Sequence, residues 1–129
     1  MNNYHCCGTE AEQRVRLLIA DDAPRSRHGL RALLATWSEV EVIGEAADGR
    51  EAVRLLGESQ PDVVLMDARM PVMDGLEATR HIKNRWPGVK VVVLSMYPAF
   101  RAEALAAGAD AFLVKGCPAE ELLDAILGY

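Results

Sequence analysis

The sequence predicts an α/β fold, a flavodoxin-like (βα)5 three-layer sandwich with a parallel sheet of order 2-1-3-4-5. Three observations predict it. Five short aliphatic runs, Val15–Ala20, Val40–Ala46, Asp62–Met66, Val89–Leu94 and Ala111–Val114, alternate with segments of helical periodicity. The third and fourth runs contain Val63-Val64-Leu65-Met66 and Val91-Val92-Val93-Leu94, apolar at every position, as strands in the middle of a helix-covered parallel sheet must be. The crossovers between the runs are short, and short crossovers between parallel strands are right-handed, which puts helices on both faces of the sheet. With five strands, 2-1-3-4-5 is the common order.

The helical segments follow in turn. In the first, Leu30, Leu33, Leu34 and Trp37 form one apolar stripe. Asp48-Gly49 opens the second, which carries Val53, Leu55 and Leu56 and is followed by Pro61. The third runs from about Asp74 to Arg85 with Leu76, Thr79 and Ile82 facing inward, and Pro87-Gly88 closes it. The fourth is alanine-rich and ends at Gly108, expected to be a left-handed cap. The fifth begins at Pro118, a natural first-turn residue, and presents Leu122, Leu123, Ile126 and Leu127. Residues 1–13 read as a disordered lead-in, and 14–129 as one domain.

Composition narrows the function classes. At 129 residues the chain is one domain with room for a core, and 50% apolar with 26% charged residues is ordinary soluble usage. No run approaches the roughly 20 apolar residues of a membrane-spanning helix, and the polar start, Met1 to Gln13, lacks the pattern of a signal peptide. Three cysteines without framework spacing suggest a reducing cytoplasm. His5-Cys6-Cys7 has no second Cys/His cluster to complete a metal site, and His28 and His81 read as surface residues of helices. A formal net charge of -5, with basic residues scattered (Arg25, Arg27 and Arg31; Lys83 and Arg85; Lys90), argues against direct binding to DNA or to an anionic membrane.

In an open parallel sheet the site lies at the carboxyl ends of the strands, where the strand order reverses. Here that is between strands 1 and 3. Strand 1 ends in Asp21-Asp22 and strand 3 in Asp67. Carboxylates so close raise one another's pKa unless neutralised. A divalent cation is the simplest neutraliser, and an oxygen-only donor set favours Mg²⁺. Strand 4 ends in the hydroxyl of Ser95 and strand 5 in the ammonium of Lys115. A carboxylate nucleophile, a metal, a hydroxyl and a lysine are the parts that phosphoryl transfer to an aspartate requires. Taken singly, Asp22 reads equally as the N-cap of the first helix, Asp67 as a turn residue, Ser95 as a cap and Lys115 as a surface lysine. All four at strand ends on one edge favour the chemical reading.

Those residues carry a resemblance. The stretch Pro61-Asp62-Val63-Val64-Leu65-Met66-Asp67-Ala68-Arg69-Met70-Pro71-Val72-Met73-Asp74-Gly75, the pair Asp21-Asp22, Ser95, and Ala109-Asp110-Ala111-Phe112-Leu113-Val114-Lys115 resemble the receiver domains of bacterial two-component response regulators over residues 15 to about 127. The resemblance implies that Asp67 accepts a phosphoryl group from a sensor histidine kinase. It implies that Asp22 and Asp67 bind Mg²⁺ directly, Asp21 through water, and the Arg69 backbone carbonyl as a further ligand. Lys115 would pair with the phosphoryl oxygens, Ser95 would bond the bound phosphate, and Phe112 would be the aromatic switch that turns inward. Arg69-Met70-Pro71 and Ser95-Met96-Tyr97 are similar to the subgroup whose receivers precede a helix-turn-helix DNA-binding output domain, here outside this chain. A homodimer through helix 4, strand 5 and helix 5, or through helices 1 and 5, is implied as a means of transcriptional control. Two departures stand out. Met96 follows Ser95 where many receivers carry a smaller residue, and Gly116 follows Lys115 where the family usually has proline, so no cis bond is expected there.

Other readings fit less well. An aspartyl-phosphate phosphatase wants a general-acid carboxylate two residues after the nucleophile, where this chain has Arg69. A phosphorylation-independent binding module usually lacks the acceptor, the acidic pair or the lysine, all present here. A flavin or dinucleotide binder would meet Asp21-Asp22-Ala23-Pro24 in place of a glycine-rich cradle. The chain is thus expected to catalyse only its own phosphorylation and dephosphorylation and to be no enzyme otherwise.

Overall fold

The computed structural model describes residues 14–128. The lead-in expected at 1–13, with His5, Cys6 and Cys7, lies outside the described residues, as does Tyr129. Five strands, β1 (Val15–Ala20), β2 (Val40–Ala46), β3 (Val63–Asp67), β4 (Lys90–Ser95) and β5 (Ala111–Val114), form one sheet of order β2-β1-β3-β4-β5 with every pairing parallel. Helices α1 (Pro24–Leu34), α2 (Gly49–Ser59), α3 (Gly75–Arg85), α4 (Arg101–Ala106) and α5 (Ala119–Leu127) connect and cover it. The expected order and layers are those found.

Strand alternation splits the core into two layers. Leu17, Ile19, Val63, Leu65, Val92 and Leu94 point to one face, where Leu34 of α1 and Leu122 and Ile126 of α5 close over them. Leu18, Ala20, Val64, Met66, Val91 and Val93 point to the other, against Leu56 of α2, Ile82 of α3 and Ala104 of α4. Full burial of a side chain such as Leu56 or Ile82 contributes about 1.5–3 kcal/mol. Thr79, buried, satisfies its hydroxyl on the Gly75 carbonyl at 2.7 Å. His28 and His81 are exposed.

The boundaries differ from expectation by one residue at β3, β4 and α5, and α1 stops at Leu34, so Trp37, expected on its stripe, lies beyond the helix while still packing on the same layer. Asp62 precedes β3 because its carboxylate accepts from the Arg16 amide at 2.9 Å. Val89 precedes β4 because its amide closes a turn on the Trp86 carbonyl. At their other ends the ladder continues to Asp67 opposite Leu94. Pro118 is the N-cap of α5, with extended ψ, and not its first helical residue. The fourth helix is only six residues long and follows a 3-10 turn at Pro98–Phe100. Gly108 behind it has φ 105°, the left-handed conformation its cap position demands. No cis peptide bond occurs among the described residues.

Two glycines allow helix N-termini to press on the segment after β3. A Cβ on Gly75 would lie 1.8 Å from the Asp67 carbonyl oxygen, and one on Gly49 would lie 2.1 Å from the Met73 carbonyl oxygen, to which the Gly49 amide donates at 2.9 Å. Gly75→Ala must therefore displace the end of β3, and is expected to cost about 2 kcal/mol or more in urea or thermal unfolding. Gly29→Ala, in the middle of α1 with nothing within 4 Å of the new methyl, is expected to stabilise by about 0.5–1 kcal/mol. Equal effects of the two changes would contradict this packing.

Candidate functional site

The 2-1-3-4-5 order leaves a crevice where the chain leaves β1 and β3 in opposite directions, and the acidic residues meet there. Asp21 follows β1 and is 1% exposed, Asp22 beside it is exposed, and Asp67 is the last residue of β3. One carboxylate oxygen from each lies within 4.8 Å of the others. Lys115, directly after β5, reaches across from the sheet edge. Its Nζ donates to Asp21 Oδ2 at 3.0 Å, to Asp67 Oδ2 at 3.2 Å and to Ser26 Oγ at 3.3 Å. The ammonium thus has an acceptor for each of its three protons.

Asp21 is held in place from several directions. Its Oδ1 accepts the Ala23 amide at 2.9 Å, and its Oδ2 accepts the Ser26 hydroxyl as well as Lys115. Burial pushes its carboxyl up, but the bonds from Ser26, the Ala23 amide and Lys115 outweigh burial and hold it below the usual carboxylate range. Asp67 has the opposite balance. Burial and the neighbouring Asp21 charge raise its pKa, and the pull of Lys115 and of the Arg69 amide does not fully offset them. Burial acts to lower the Lys115 pKa, yet its two carboxylate partners leave it raised, so the ammonium is charged throughout the neutral range.

The remaining expected residues fall around this centre. Ser95, 1% exposed, ends β4; its Oγ accepts the Tyr97 amide at 3.0 Å and its carbonyl accepts the Lys115 amide at 2.8 Å. Arg69 lies in the loop after Asp67, with its amide on the Asp67 carboxylate and its exposed guanidinium over the Phe100 ring, 5.8 Å from the centroid. Phe112 is 6% exposed and packs inward with Val93, Ala104 and Ala109. The inward position of this ring, left open by the sequence, is the one found. Met96 is 63% exposed at the rim. Asp22 does not cap α1: the N-cap position is Ala23, whose side chain makes no cap bond.

Sequence reasoning missed Ser26. The signal was its place four residues before Leu30 on the inward stripe of α1, where a polar side chain needs a partner. Also missed was the strain at Val72, whose φ of 70° sits inside a tight turn closed by the Met73 amide on the Pro71 carbonyl at 2.7 Å. A β-branched residue in that region costs on the order of 1–3 kcal/mol, and this turn lies in the segment that carries Asp67 to α3.

Three carboxylates and one ammonium leave two negative charges uncompensated in a half-buried crevice. The donors are all oxygen, with no histidine or cysteine among them. Such a set fits a hard divalent cation of the Mg²⁺ kind.

The response regulator receiver domain model matches residues 17–127. The transcriptional regulatory protein DegU of Brevibacillus brevis is 38% identical over 117 residues, which are 89% of this chain and 50% of that protein. The response regulator protein VraR of Staphylococcus aureus is 39% identical over 114 residues, 87% of this chain and 54% of that protein. The chain therefore spans about half the length of the curated relatives it matches. Among solved structures, a LuxR-family two-component response regulator from Aurantimonas superposes with a TM-score of 0.84 at 37% identity, covering 89% of this chain and 84% of that one.

The raised pKa of Asp67 has a consequence for stability. A carboxyl whose folded pKa exceeds its unfolded value favours the fold while protonated, and loses that contribution as pH rises through the folded pKa. Asn at this position mimics the neutral form. In metal-free buffer Asp67→Asn is expected to melt above the wild type at pH 7, with the gap closing toward about pH 3, where the wild-type carboxyl is neutral too. A wild type that melts above the variant at pH 7 without metal would contradict this balance of charges.

Proposed function

The chain belongs to the response regulator receiver family, and on that premise we propose that Asp67 is its phosphoacceptor and that phosphorylation there switches a protein-binding surface. The observation that carries this reading is Lys115 Nζ held between Asp21 and Asp67 at the strand-order reversal. A sensor histidine kinase is the donor. An Asp67 carboxylate oxygen attacks phosphorus, the bond from phosphorus to the donor breaks with its electron pair leaving on the donor, and an acyl phosphate results. Lys115, already within 3.2 Å of the acceptor oxygen, follows the charge onto the phosphoryl oxygens. Hydrolysis of the acyl phosphate by water resets the site. The chain catalyses only these two reactions of its own side chain.

Asp22 and Asp67 would hold Mg²⁺ directly, Asp21 through water, and the Arg69 carbonyl would complete the protein's share. When bound, the ion supplies positive charge beside the transferred oxygens. Ser95 at the end of β4 would donate its hydroxyl to the phosphate, and the movement that brings it there gives up the Tyr97 amide bond its Oγ now accepts and shifts the β4–α4 segment past Phe112. Phosphorylation shifts the population between two arrangements of this segment and creates no new fold. The surface that changes comprises α4, β5 and α5, and it or the α1–α5 face serves homodimerisation.

The relatives are a transcriptional regulatory protein and a response regulator in name and about twice as long, which supports a role in transcription through an output domain beyond this chain, in the cytoplasm. The chain itself does not bind DNA. Arg27 and Arg31 are paired with Glu45, Lys83 with Asp110, and Lys90 donates to the Ala125 and Ile126 carbonyls. Among the described residues no helix is long and apolar enough to cross a membrane.

Incubation with Mg²⁺ and a small phosphodonor is expected to add one phosphoryl group to the wild type, by intact mass, and none to Asp67→Asn. Mg²⁺ is expected to bind in about the millimolar range and to raise the wild-type Tm, with Asp22→Ala weakening that rise most. Equal phosphorylation of both proteins, or a Tm indifferent to Mg²⁺, would overturn the assignment.

A further inference from the structure

We propose that Ser26 is a positioning residue of the phosphoacceptor site, holding Lys115 and Asp21 through its hydroxyl from the first helix. The inference rests on the reading of Asp67 as the acceptor.

Ser26 occupies the third position of α1, on the stripe it shares with Leu30 and Leu33. The periodicity of α1 makes this an inward place, where an aliphatic side chain would pack against the sheet. Serine leaves the space unfilled. A cavity of about 240 Å³ opens between α1 and α5, lined by Ser26, Leu30, Leu33, Leu94 and Leu122 with the Lys115 stem at its end. What the position loses in packing it gains in hydrogen bonding. Ser26 Oγ donates to Asp21 Oδ2, the same oxygen that Lys115 reaches at 3.0 Å, and accepts from Lys115 Nζ at 3.3 Å. A hydroxyl has one donor and two acceptor sites, so both roles are filled at once. Serine, aspartate and lysine form a closed triangle with one corner on each of α1, the end of β1 and the end of β5.

The triangle matters because Lys115 is otherwise a four-carbon chain ending in a point charge. Asp21 and Asp67 attract that charge without fixing its distance from either. The Ser26 acceptor takes the third ammonium proton and anchors Nζ to a helix. Lys115 then starts each phosphoryl transfer from one place and needs only a short move to the oxygens on which charge develops. Loss of the hydroxyl leaves both acidic groups and the lysine present, but the lysine less well placed, and a small misplacement of a charge-stabilising group is costly in rate.

The test uses threonine and valine, which match in volume and differ in the hydroxyl. The cavity beside Ser26 has room for the added methyl groups, so both variants are expected to fold, Ser26→Thr with a nearly wild-type melting temperature and Ser26→Val with a lower one because it withdraws a donor from the buried Asp21 carboxylate. Saturation curves with a small phosphodonor and Mg²⁺ separate the limiting rate of Asp67 phosphorylation from the half-saturating donor concentration. Ser26→Val is expected to lower the limiting rate by about tenfold with little change in half-saturation, and Ser26→Thr to restore most of it. The ¹⁵N-resolved signal of the Lys115 ammonium provides a readout that does not depend on phosphorylation. It is expected to be sharp in the wild type and Ser26→Thr, and broadened by exchange in Ser26→Val. A Ser26→Val protein with the wild-type limiting rate and a sharp Lys115 signal overturns the proposal, as does a loss that threonine fails to rescue. If wild-type Asp67 takes no phosphoryl group, the assignment of the acceptor fails, and the ammonium signal alone then decides whether Ser26 holds Lys115.

Discussion

Three carboxylates held within 4.8 Å of one another are the constraint on which the rest of this molecule turns. At that separation two full charges repel by about 3 kcal/mol even at an effective dielectric constant of 20. The fold sets them together nonetheless, because β1 and β3 are adjacent central strands, and Asp21-Asp22 just after β1 and Asp67 at the end of β3 come to the same edge. The rest of the site limits that cost. Lys115 crosses from β5 to stand between two of the acids, Ser26 and the Ala23 amide bond Asp21, and the Arg69 amide bonds Asp67. The compensation is incomplete by two charges. An anionic phosphoryl group cannot supply the remainder, whereas a divalent cation held by these carboxylates would.

The two acids with shifted pKa values divide the work. Asp21, buried and held ionised by its hydrogen bonds, is a fixed charge that anchors the lysine. Asp67, pushed the other way by burial and by Asp21, is the acid whose charge is least well stabilised. On the proposed role as acceptor, giving up an oxygen to phosphorus costs it little that the fold provided. The segment beyond Asp67 is pressed by Gly75 and Gly49 and bent through Val72. Asp67 is therefore mounted on a constrained loop fixed to β4 through the Ala68 amide on the Leu94 carbonyl. Rigid mounting suits the proposed phosphoryl transfer, whose catalysis is mostly placement and electrostatics.

Much of this was legible in the sequence. Val63 to Met66 and Val91 to Leu94 report strands buried on both faces, and that alone nearly forces the three-layer order. Asp21, Asp22, Asp67, Ser95 and Lys115 were singled out because strand ends in such a sheet are where chemistry collects, and the fold brings the three acids and the lysine together there. Strand bounds slipped by one residue at Asp62 and Val89, where a side-chain bond and a turn decide the edge and periodicity has nothing to say. Ser26 was overlooked because a serine in a helix has no signature of its own; only the tertiary approach of Asp21 and Lys115 gives its hydroxyl a role. The inward Phe112 ring was likewise beyond reach, since a rotamer depends on the space left by Ala104 and Ala109.

Chemical trapping of the phosphorylated side chain tests the central claim most directly. An aspartyl phosphate is an acyl phosphate, and borohydride reduces it to homoserine while leaving ordinary carboxylates alone. After phosphorylation with Mg²⁺ and a small donor, reduction and peptide sequencing by mass spectrometry should place homoserine at position 67 and leave Asp21 and Asp22 unchanged. Homoserine at either of those two residues, or a phosphoryl group that resists reduction because it sits on a serine or histidine, would contradict the account.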